Sequence, residues 1–159
     1  MLGGSPFAVD VTEAREVVVL DATTSVPGAP AALVGVMNLR SSVLPVVEVR
    51  PLLGLPVCAS VGRPLALLLA DADRRAAILI ERVLGLATVD QVHPLTEGVA
   101  PHAMTVGELV DEAGEHAIML DAGALLSAVC RTWRSSRTHP MQCSSEPPGP
   151  PAPAPTPGA

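Results

Sequence analysis

The chain has 159 residues, and 48% of them are apolar, yet Phe7 and Trp133 are its only aromatic residues and all ten basic residues are Arg. This length suits one domain rather than two catalytic domains. Residues 1–128 contain 15 acidic residues and seven Arg, so the chain lacks the basic face and the stacking aromatic residues that nucleic acid binding requires. The same charge balance excludes an anionic membrane surface as a partner.

The ends of the chain narrow the class of protein further. Met1–Asp10 has neither the cationic start nor the apolar stretch of a secretory signal, and no apolar run approaches the roughly 18–20 residues that span a bilayer. We therefore expect a cytoplasmic protein without membrane insertion. From residue 140 on, eight of twenty residues are Pro, a composition that cannot bury a core. We expect an N-terminal stub at 1–6, one domain at 7–128 and a disordered Pro-rich tail at 129–159.

Short apolar runs of strand length recur between turn signals along the domain. Three hairpins are predicted in chain order: Val34–Arg40 with Val43–Val49, Leu65–Leu69 with Ala76–Ile80, and Val106–Val110 with His116–Leu120. A single strand at Val17–Leu20 precedes them, and short helical turns are predicted at Arg50–Gly54, Glu81–Gly85 and Asp121–Leu126. Many short strands at regular spacing favour a mainly β fold, built as a barrel or a sandwich.

The first hairpin carries the most specific pattern of polar residues. Its turn is predicted at Ser41 and Ser42, between two alternating strands. Because side chains alternate between the two faces of a strand, Val36, Asn38 and Arg40 should lie together on one face.

The sequence contains none of the usual catalytic motifs, such as a phosphate-binding Gly-Lys-Ser/Thr loop, His-Glu-x-x-His or Gly-x-Ser-x-Gly. Lys is absent, which removes Schiff-base chemistry. The three cysteines, Cys58, Cys130 and Cys143, are too widely spaced for a zinc site and too few for a disulfide scaffold. We therefore expect no enzyme activity, no metal site and no cofactor.

Two other classes of function remain open from the residues alone. A small-ligand-binding β-barrel would need a sizeable apolar cavity. An enzyme with a novel site would need a histidine and a carboxylate that converge in a cleft. The acidic cluster Glu108, Asp111, Glu112 and Glu115 lacks the ligand spacing of a calcium loop, so we interpret it as a solvated hairpin tip.

The stretch from residue 26 to residue 50 resembles a known family. A proline-containing loop at 26–30 precedes Gly35-Val36-Met37-Asn38-Leu39-Arg40, and Leu44-Pro45-Val46-Val47-Glu48-Val49-Arg50 follows. This order is similar to the CheW family of chemotaxis coupling proteins, whose pattern is Gly-Val-x-Asn-Leu-Arg-Gly and then a strand of the type Leu-Pro-Val-Ile-Asp-Leu-Arg. Segments at 7–17, 77–83 and 117–126 match further parts of the pattern, so the resemblance extends over residues 7–127.

The resemblance implies two intertwined SH3-like β-barrel subdomains without catalytic activity. It also implies a role as an adaptor that binds the signalling tip of a methyl-accepting chemoreceptor and couples it to a CheA-type histidine kinase, alongside other CheW-like proteins. Carried over by position, the receptor-binding residues are Arg40, Asn38, Val36 and Gly35, and the kinase-binding residues are Glu16 and Val17. The residues alone allow a second interpretation of Arg40, as a residue that only braces the hairpin turn or pairs with an acid.

Three departures from the family pattern predict a divergent, accessory adaptor. The family begins with an additional strand before the position of Phe7, and residues 1–6 are too short and too rich in Gly to supply it, so one barrel should be incomplete. Ser41 replaces the glycine of the hairpin turn, and Ala14 replaces a larger apolar residue near Glu16. An adaptor that binds the receptor but not the kinase is therefore the alternative.

Overall fold

The computed structural model of the chain describes residues 1–57, 62–89, 91–95, 103–111 and 114–135, with side chains to residue 131. Strands dominate this part of the chain, which confirms the predicted mainly β class. The elements are β1 (Phe7–Ala8), β2 (Ala14–Val19), β3 (Leu33–Leu39), β4 (Ser42–Val47), a 3₁₀ turn (Pro51–Leu53), β5 (Leu65–Asp71), β6 (Arg74–Ile80), β7 (Thr105–Val110), β8 (His116–Leu120) and α1 (Ala122–Ser135).

Five strands form the larger sheet, in the order β2-β5-β6-β4-β3. The first two predicted hairpins are confirmed as β3–β4 and β5–β6, and β2 pairs antiparallel with β5. β4 pairs with β6 only at Val46 and Val47, in parallel. Pro45 lies just before that contact and pairs with no residue of β6. The absence of an N–H group at Pro45 therefore removes no hydrogen bond between β4 and β6.

The turn between β3 and β4 lies one residue earlier than predicted. Leu39 pairs with Ser42, so the two turn residues are Arg40 and Ser41 rather than Ser41 and Ser42. Both have positive φ values, 47° and 69°, as the two central residues of a type I′ hairpin turn require. Side chains adopt this region at a cost that glycine avoids, so the turn is strained at both positions. Arg40 therefore lies in the turn and not on the strand face with Val36 and Asn38.

The smaller sheet has three strands in the order β1-β8-β7. The predicted third hairpin is confirmed as β7–β8, and β1 pairs with β8 in parallel through Phe7 and Ile118. A strand from the start of the chain thus joins a sheet made from its second half. This interleaved order agrees with the predicted intertwined subdomains, while the incomplete barrel stays a prediction.

The two faces of the larger sheet bury two different aliphatic clusters. One face is lined by the cluster of Leu20, Met37, Leu44, Val46, Ala66, Leu68 and Ala77. The other face packs against α1 and β8 through Val47, Val49, Leu69, Ala76, Ile78, Leu120, Leu125 and Leu126. With so few aromatic residues, close packing of branched aliphatic side chains supplies the hydrophobic stabilisation.

The predicted domain boundaries at both ends are wrong. Residues 1–6 are not a stub, because Leu2 is buried in the main cluster and the Gly3 amide donates to a carboxylate oxygen of Glu81 at 2.8 Å. The domain also does not end at residue 128, since α1 continues to Ser135 and Val129 is buried against the same cluster. Of the predicted tail, residues 136–159 lie outside the described residues.

The helical turn predicted at Glu81–Gly85 is also wrong, since the described residues contain no helix there. The backbone groups at its start are used otherwise: the Glu81 amide donates to the Met1 carbonyl at 3.1 Å, and the Arg82 carbonyl accepts from the Met1 nitrogen at 3.0 Å. Among the described residues, no helix combines the length and the apolar character needed to cross a membrane.

Candidate protein-interaction surface

The β3–β4 turn is joined to β2 by an ion pair. Arg40 Nη2 donates a hydrogen bond to Glu16 Oε2 at 3.0 Å. The Arg40 side chain is 79% exposed and the Glu16 side chain is 31% exposed, so most of the guanidinium surface stays open to solvent or to a partner. The structure thus brings together a residue predicted for the receptor and a residue predicted for the kinase. It also confirms that Arg40 pairs with an acid.

The outward face of the β3–β4 hairpin presents apolar and amide side chains beside this ion pair. Asn38 is opposite Val43 and Val36 is opposite Pro45 in the antiparallel register. Asn38 is exposed and Val36 is half-buried, while Val43, which lies outside the residues predicted to contact the receptor, is 69% exposed. An aliphatic side chain this open at the end of a hairpin is available for contact with another chain. The cross-strand register is the signal that would have identified it.

Gly35, the fourth residue predicted for receptor contact, is buried. A Cβ atom at this position would lie 2.5 Å from the Thr24 carbonyl oxygen. Thr24 approaches here because its amide and carbonyl pair with the carbonyl and amide of Val36, at 2.8 Å and 2.9 Å. Gly35 therefore allows the chain before β3 to pack against the strand, and it supports the surface from beneath.

The two residues predicted for kinase contact lie on opposite faces of β2. Glu16 alternates with Val17, and the burial of β2 alternates in the same way. Val17 and Val19 are exposed, whereas Val18, on the same face as Glu16, packs against the inner cluster. Glu16 reaches Arg40 at the end of the strand, and Val17 faces the solvent on the other side.

Comparison with known proteins identifies the family. Residues 1–130 match the family model of the CheW-like domain. The chain belongs to the CheW-like family. The chemotaxis protein CheW of Bacillus subtilis (strain 168) is 26% identical over 129 residues, which cover 79% of this chain and 83% of that protein. The chemotaxis protein CheW of Rhizobium meliloti (strain 1021) is 31% identical over 88 residues, which cover 55% of this chain and 57% of that protein.

A solved structure has the same fold. The crystal structure of the scaffolding protein TtCheW from Thermoanaerobacter tengcongensis matches with a TM-score of 0.67 at 18% sequence identity, over 76% of this chain and 84% of that chain. The CheW-like identity predicted from the Asn38-Leu39-Arg40 hairpin and its surroundings is therefore confirmed, together with the fold class.

A network of paired charged side chains lies where β4 and β6 end in this CheW-like domain. Arg50 donates through Nε to Glu48 Oε1 at 2.8 Å and through Nη1 to Glu81 Oε1 at 3.2 Å, and a further hydrogen bond joins Arg50 Nη2 to Glu48. The Gly4 and Gly3 amides and Arg50 together hold the pKa of Glu81 below its ordinary value, against the opposing effect of burial. The network ties the ends of β4 and β6 to the N-terminal segment, because each buried charge must be paired.

One histidine and one carboxylate do converge, but not in a cleft. His116 Nδ1 lies 2.7 Å from Glu108 Oε1 on the β7–β8 hairpin, and the imidazole is mostly exposed. An imidazole this open is solvated, and a contact of this kind on the protein surface contributes little to stability. Among the described residues, no three His, Cys, Asp or Glu side chains lie close enough together to hold a metal ion. Glu112 of the acidic cluster lies outside the described residues.

Proposed function

We propose that the protein is a non-catalytic adaptor of the cytoplasm that binds the signalling tip of a methyl-accepting chemoreceptor. The observation that carries this proposal is the exposed hairpin surface of Val36, Asn38, Val43 and the Arg40 turn in a CheW-like domain. Apolar side chains beside an available guanidinium suit an amphipathic receptor helix, since such helices bind through a few spaced apolar anchors and polar contacts at the rim.

A second surface, on β2, supports an assignment of kinase coupling. Val17 and Val19 supply an exposed apolar strip on β2, and a CheA-type kinase or another CheW-like protein is the partner that we propose for it. Glu16, in contrast, is already engaged by Arg40. This pairing favours the alternative in which the protein binds the receptor and does not couple it to the kinase through Glu16.

Binding of a small ligand inside the larger sheet is less well supported. The inner face carries Met37, Leu44, Val46 and Leu68, which pack against one another. A filled aliphatic interior offers no polar groups to orient a ligand, whereas ligand sites combine an apolar cavity with a few converging polar side chains.

Capture of the receptor tests the proposal directly. The protein is immobilised and titrated with the signalling-tip fragment of a chemoreceptor from the same organism. The titration is done with and without the CheA-type kinase of that organism. We expect saturable receptor binding that Val43→Asp weakens by about tenfold or more, because a charge would replace an exposed apolar side chain that the bound receptor covers.

A matched control separates a local effect from a general one. Val106→Asp places the same charge at an exposed valine of β7, in the other sheet, and should leave receptor binding unchanged. Absence of receptor binding by the native protein, or equal loss with both variants, would contradict the assignment of this surface. If the complex also takes up the kinase, and Val17→Asp abolishes that uptake, the result would support coupling. If the protein binds the receptor but the added kinase stays out of the complex, the result would support the receptor-only alternative.

A further inference from the structure

The β3–β4 turn carries backbone strain that packing does not explain. Among the described residues, three residues other than glycine have positive φ values, and two of them, Arg40 and Ser41, are adjacent in this turn. The Ser41 side chain is exposed, so it buries no surface that would offset the strain. Residues keep such a conformation where the surrounding structure determines it, and they are concentrated at functional sites. Stability alone therefore gives no reason for a serine at this position.

Contacts on two sides hold the turn in this conformation. On one side Leu39 pairs with Ser42, which leaves two residues for the turn. On the other side Arg40 Nη2 donates a hydrogen bond to Glu16 Oε2 of β2 at 3.0 Å. The Arg40 side chain is thus held at its backbone and at its guanidinium, while 79% of it remains exposed. This arrangement presents most of the guanidinium to solvent in one orientation.

The Cβ atom of Ser41 restricts the conformations that the turn can adopt. Glycine, which lacks a Cβ atom, populates positive and negative φ about equally readily, whereas a residue with a side chain at a φ of 69° has only a small left-handed region available. Because the two strands fix both ends of the turn, a rotation at Ser41 must be compensated at Arg40, which redirects the Arg40 side chain. A restricted turn loses less conformational freedom when the guanidinium binds, which is the general effect of preorganisation.

We propose that Ser41 is a positioning residue for Arg40: its restricted backbone keeps the guanidinium in the orientation in which the receptor binds it. The consequence for receptor affinity rests on the proposed function, whereas the orientation of Arg40 is a property of the free protein. The family pattern has glycine at this position, so the restriction distinguishes this chain from that pattern. Ser41 thus lowers the stability of the domain and raises its affinity for the receptor.

A second strained turn supplies a matched control. Ala72 has a φ of 47° in the two-residue turn between β5 and β6, where Asp71 pairs with Arg74. This turn is bonded to α1 through the side chains of Arg74 and Ser127, and it is not part of the receptor surface. Ala72→Gly therefore relieves the same kind of strain without a change at Arg40.

The orientation of Arg40 is measured in the free protein by NMR relaxation of its Nε–H group, which reports motion on the ps–ns timescale. Ser41→Gly should lower the order parameter of that group, and Ala72→Gly should leave it unchanged. Ser41→Asn should also leave it unchanged, because asparagine adopts positive φ and keeps a Cβ atom. An order parameter that Ser41→Gly does not lower would overturn the proposal, whether or not the receptor binds.

Receptor affinity and urea unfolding of the same variants test the consequence. Ser41→Gly should raise the Kd for the signalling-tip fragment by about two- to fivefold, which corresponds to the conformational freedom that one glycine adds, although it stabilises the fold. Ala72→Gly should stabilise the fold at unchanged affinity, and Ser41→Asn should retain the native affinity. Unchanged or tighter binding by Ser41→Gly, or equal weakening by Ala72→Gly, would overturn the proposal. A native protein that binds no receptor, while Ser41→Gly still lowers the order parameter of Arg40, would support the positioning role and contradict the proposed function.

Discussion

Exchanging the charges of Arg40 and Glu16 separates the two roles that the ion pair can have. Arg40→Glu alone sets two carboxylates against each other, Glu16→Arg alone sets two guanidinium groups against each other, and the double variant restores an ion pair with reversed polarity. The native pair is 79% and 31% exposed, and exposed pairs contribute about 0.2–1 kcal/mol to stability. Each single variant should therefore lower the melting temperature by no more than about 5 °C.

The effect on binding should be larger if Arg40 contacts the receptor. A buried arginine at the centre of an interface contributes about 2 kcal/mol or more, which corresponds to about a 30-fold change in the dissociation constant. Receptor affinity and thermal unfolding are measured for the native protein, both single variants and the double variant. We expect the double variant to recover the melting temperature and not the affinity, because a carboxylate in the turn cannot replace the guanidinium at the receptor. If it recovers both, Arg40 only braces the hairpin and the contact role is refuted.

Three further predictions concern stability, measured by urea unfolding. Ser41→Gly should increase the free energy of unfolding by about 0.5–1 kcal/mol because it relieves the positive φ of the turn, whereas Ser42→Gly, within β4, should decrease it; equal effects would contradict the turn assignment. Gly35→Ala should cost about 1–3 kcal/mol through its clash with the Thr24 carbonyl, and a neutral result would refute that close approach. Burial and the charges of Asp10, Asp121 and Asp71 raise the pKa of Glu13, so ionised Glu13 opposes folding and Glu13→Gln should stabilise the protein at pH 7. That gain should vanish as the pH falls below the ordinary carboxyl value of 4.5, and a gain that persists there would show another cause.

Local patterns in the sequence were sufficient to predict the strands of the three hairpins but neither β1 nor the turn between β3 and β4. Alternation of apolar residues defines each hairpin to within a residue or two. The turn type, however, depends on which two residues accept positive φ, and two adjacent serines are a more ordinary choice than Arg40 with Ser41. The register of the whole hairpin selects the less favourable pair, since Leu39 and Met37 must face the inner cluster.

The ends of the domain illustrate two different reasons for error. α1 could have been extended from the sequence, because Ala122, Leu125, Leu126 and Val129 recur at helical spacing and all are buried. The packing of residues 1–6 could not, since it depends on the bonds of Gly3 and Gly4 to Glu81, which lies 78 and 77 residues away. No local pattern encodes a contact between such distant segments.

The contact between the residues of the candidate surface could likewise not be predicted from a local pattern in the sequence. Similarity to the family predicts different partners for Arg40 and Glu16, and only the fold brings these two residues, 24 positions apart in the sequence, into contact.

A receptor that binds the Arg40 guanidinium must compete with Glu16 or bind the pair together. In the first case receptor binding releases the Glu16 carboxylate for a second partner, and the two binding events become coupled in free energy, so that each strengthens the other by the same factor. In the second case the pair stays closed and Glu16 contributes nothing to the kinase. Affinity for the kinase measured with and without the receptor fragment, and again in Glu16→Gln, distinguishes the two: only a coupling that Glu16→Gln removes is consistent with release of the carboxylate.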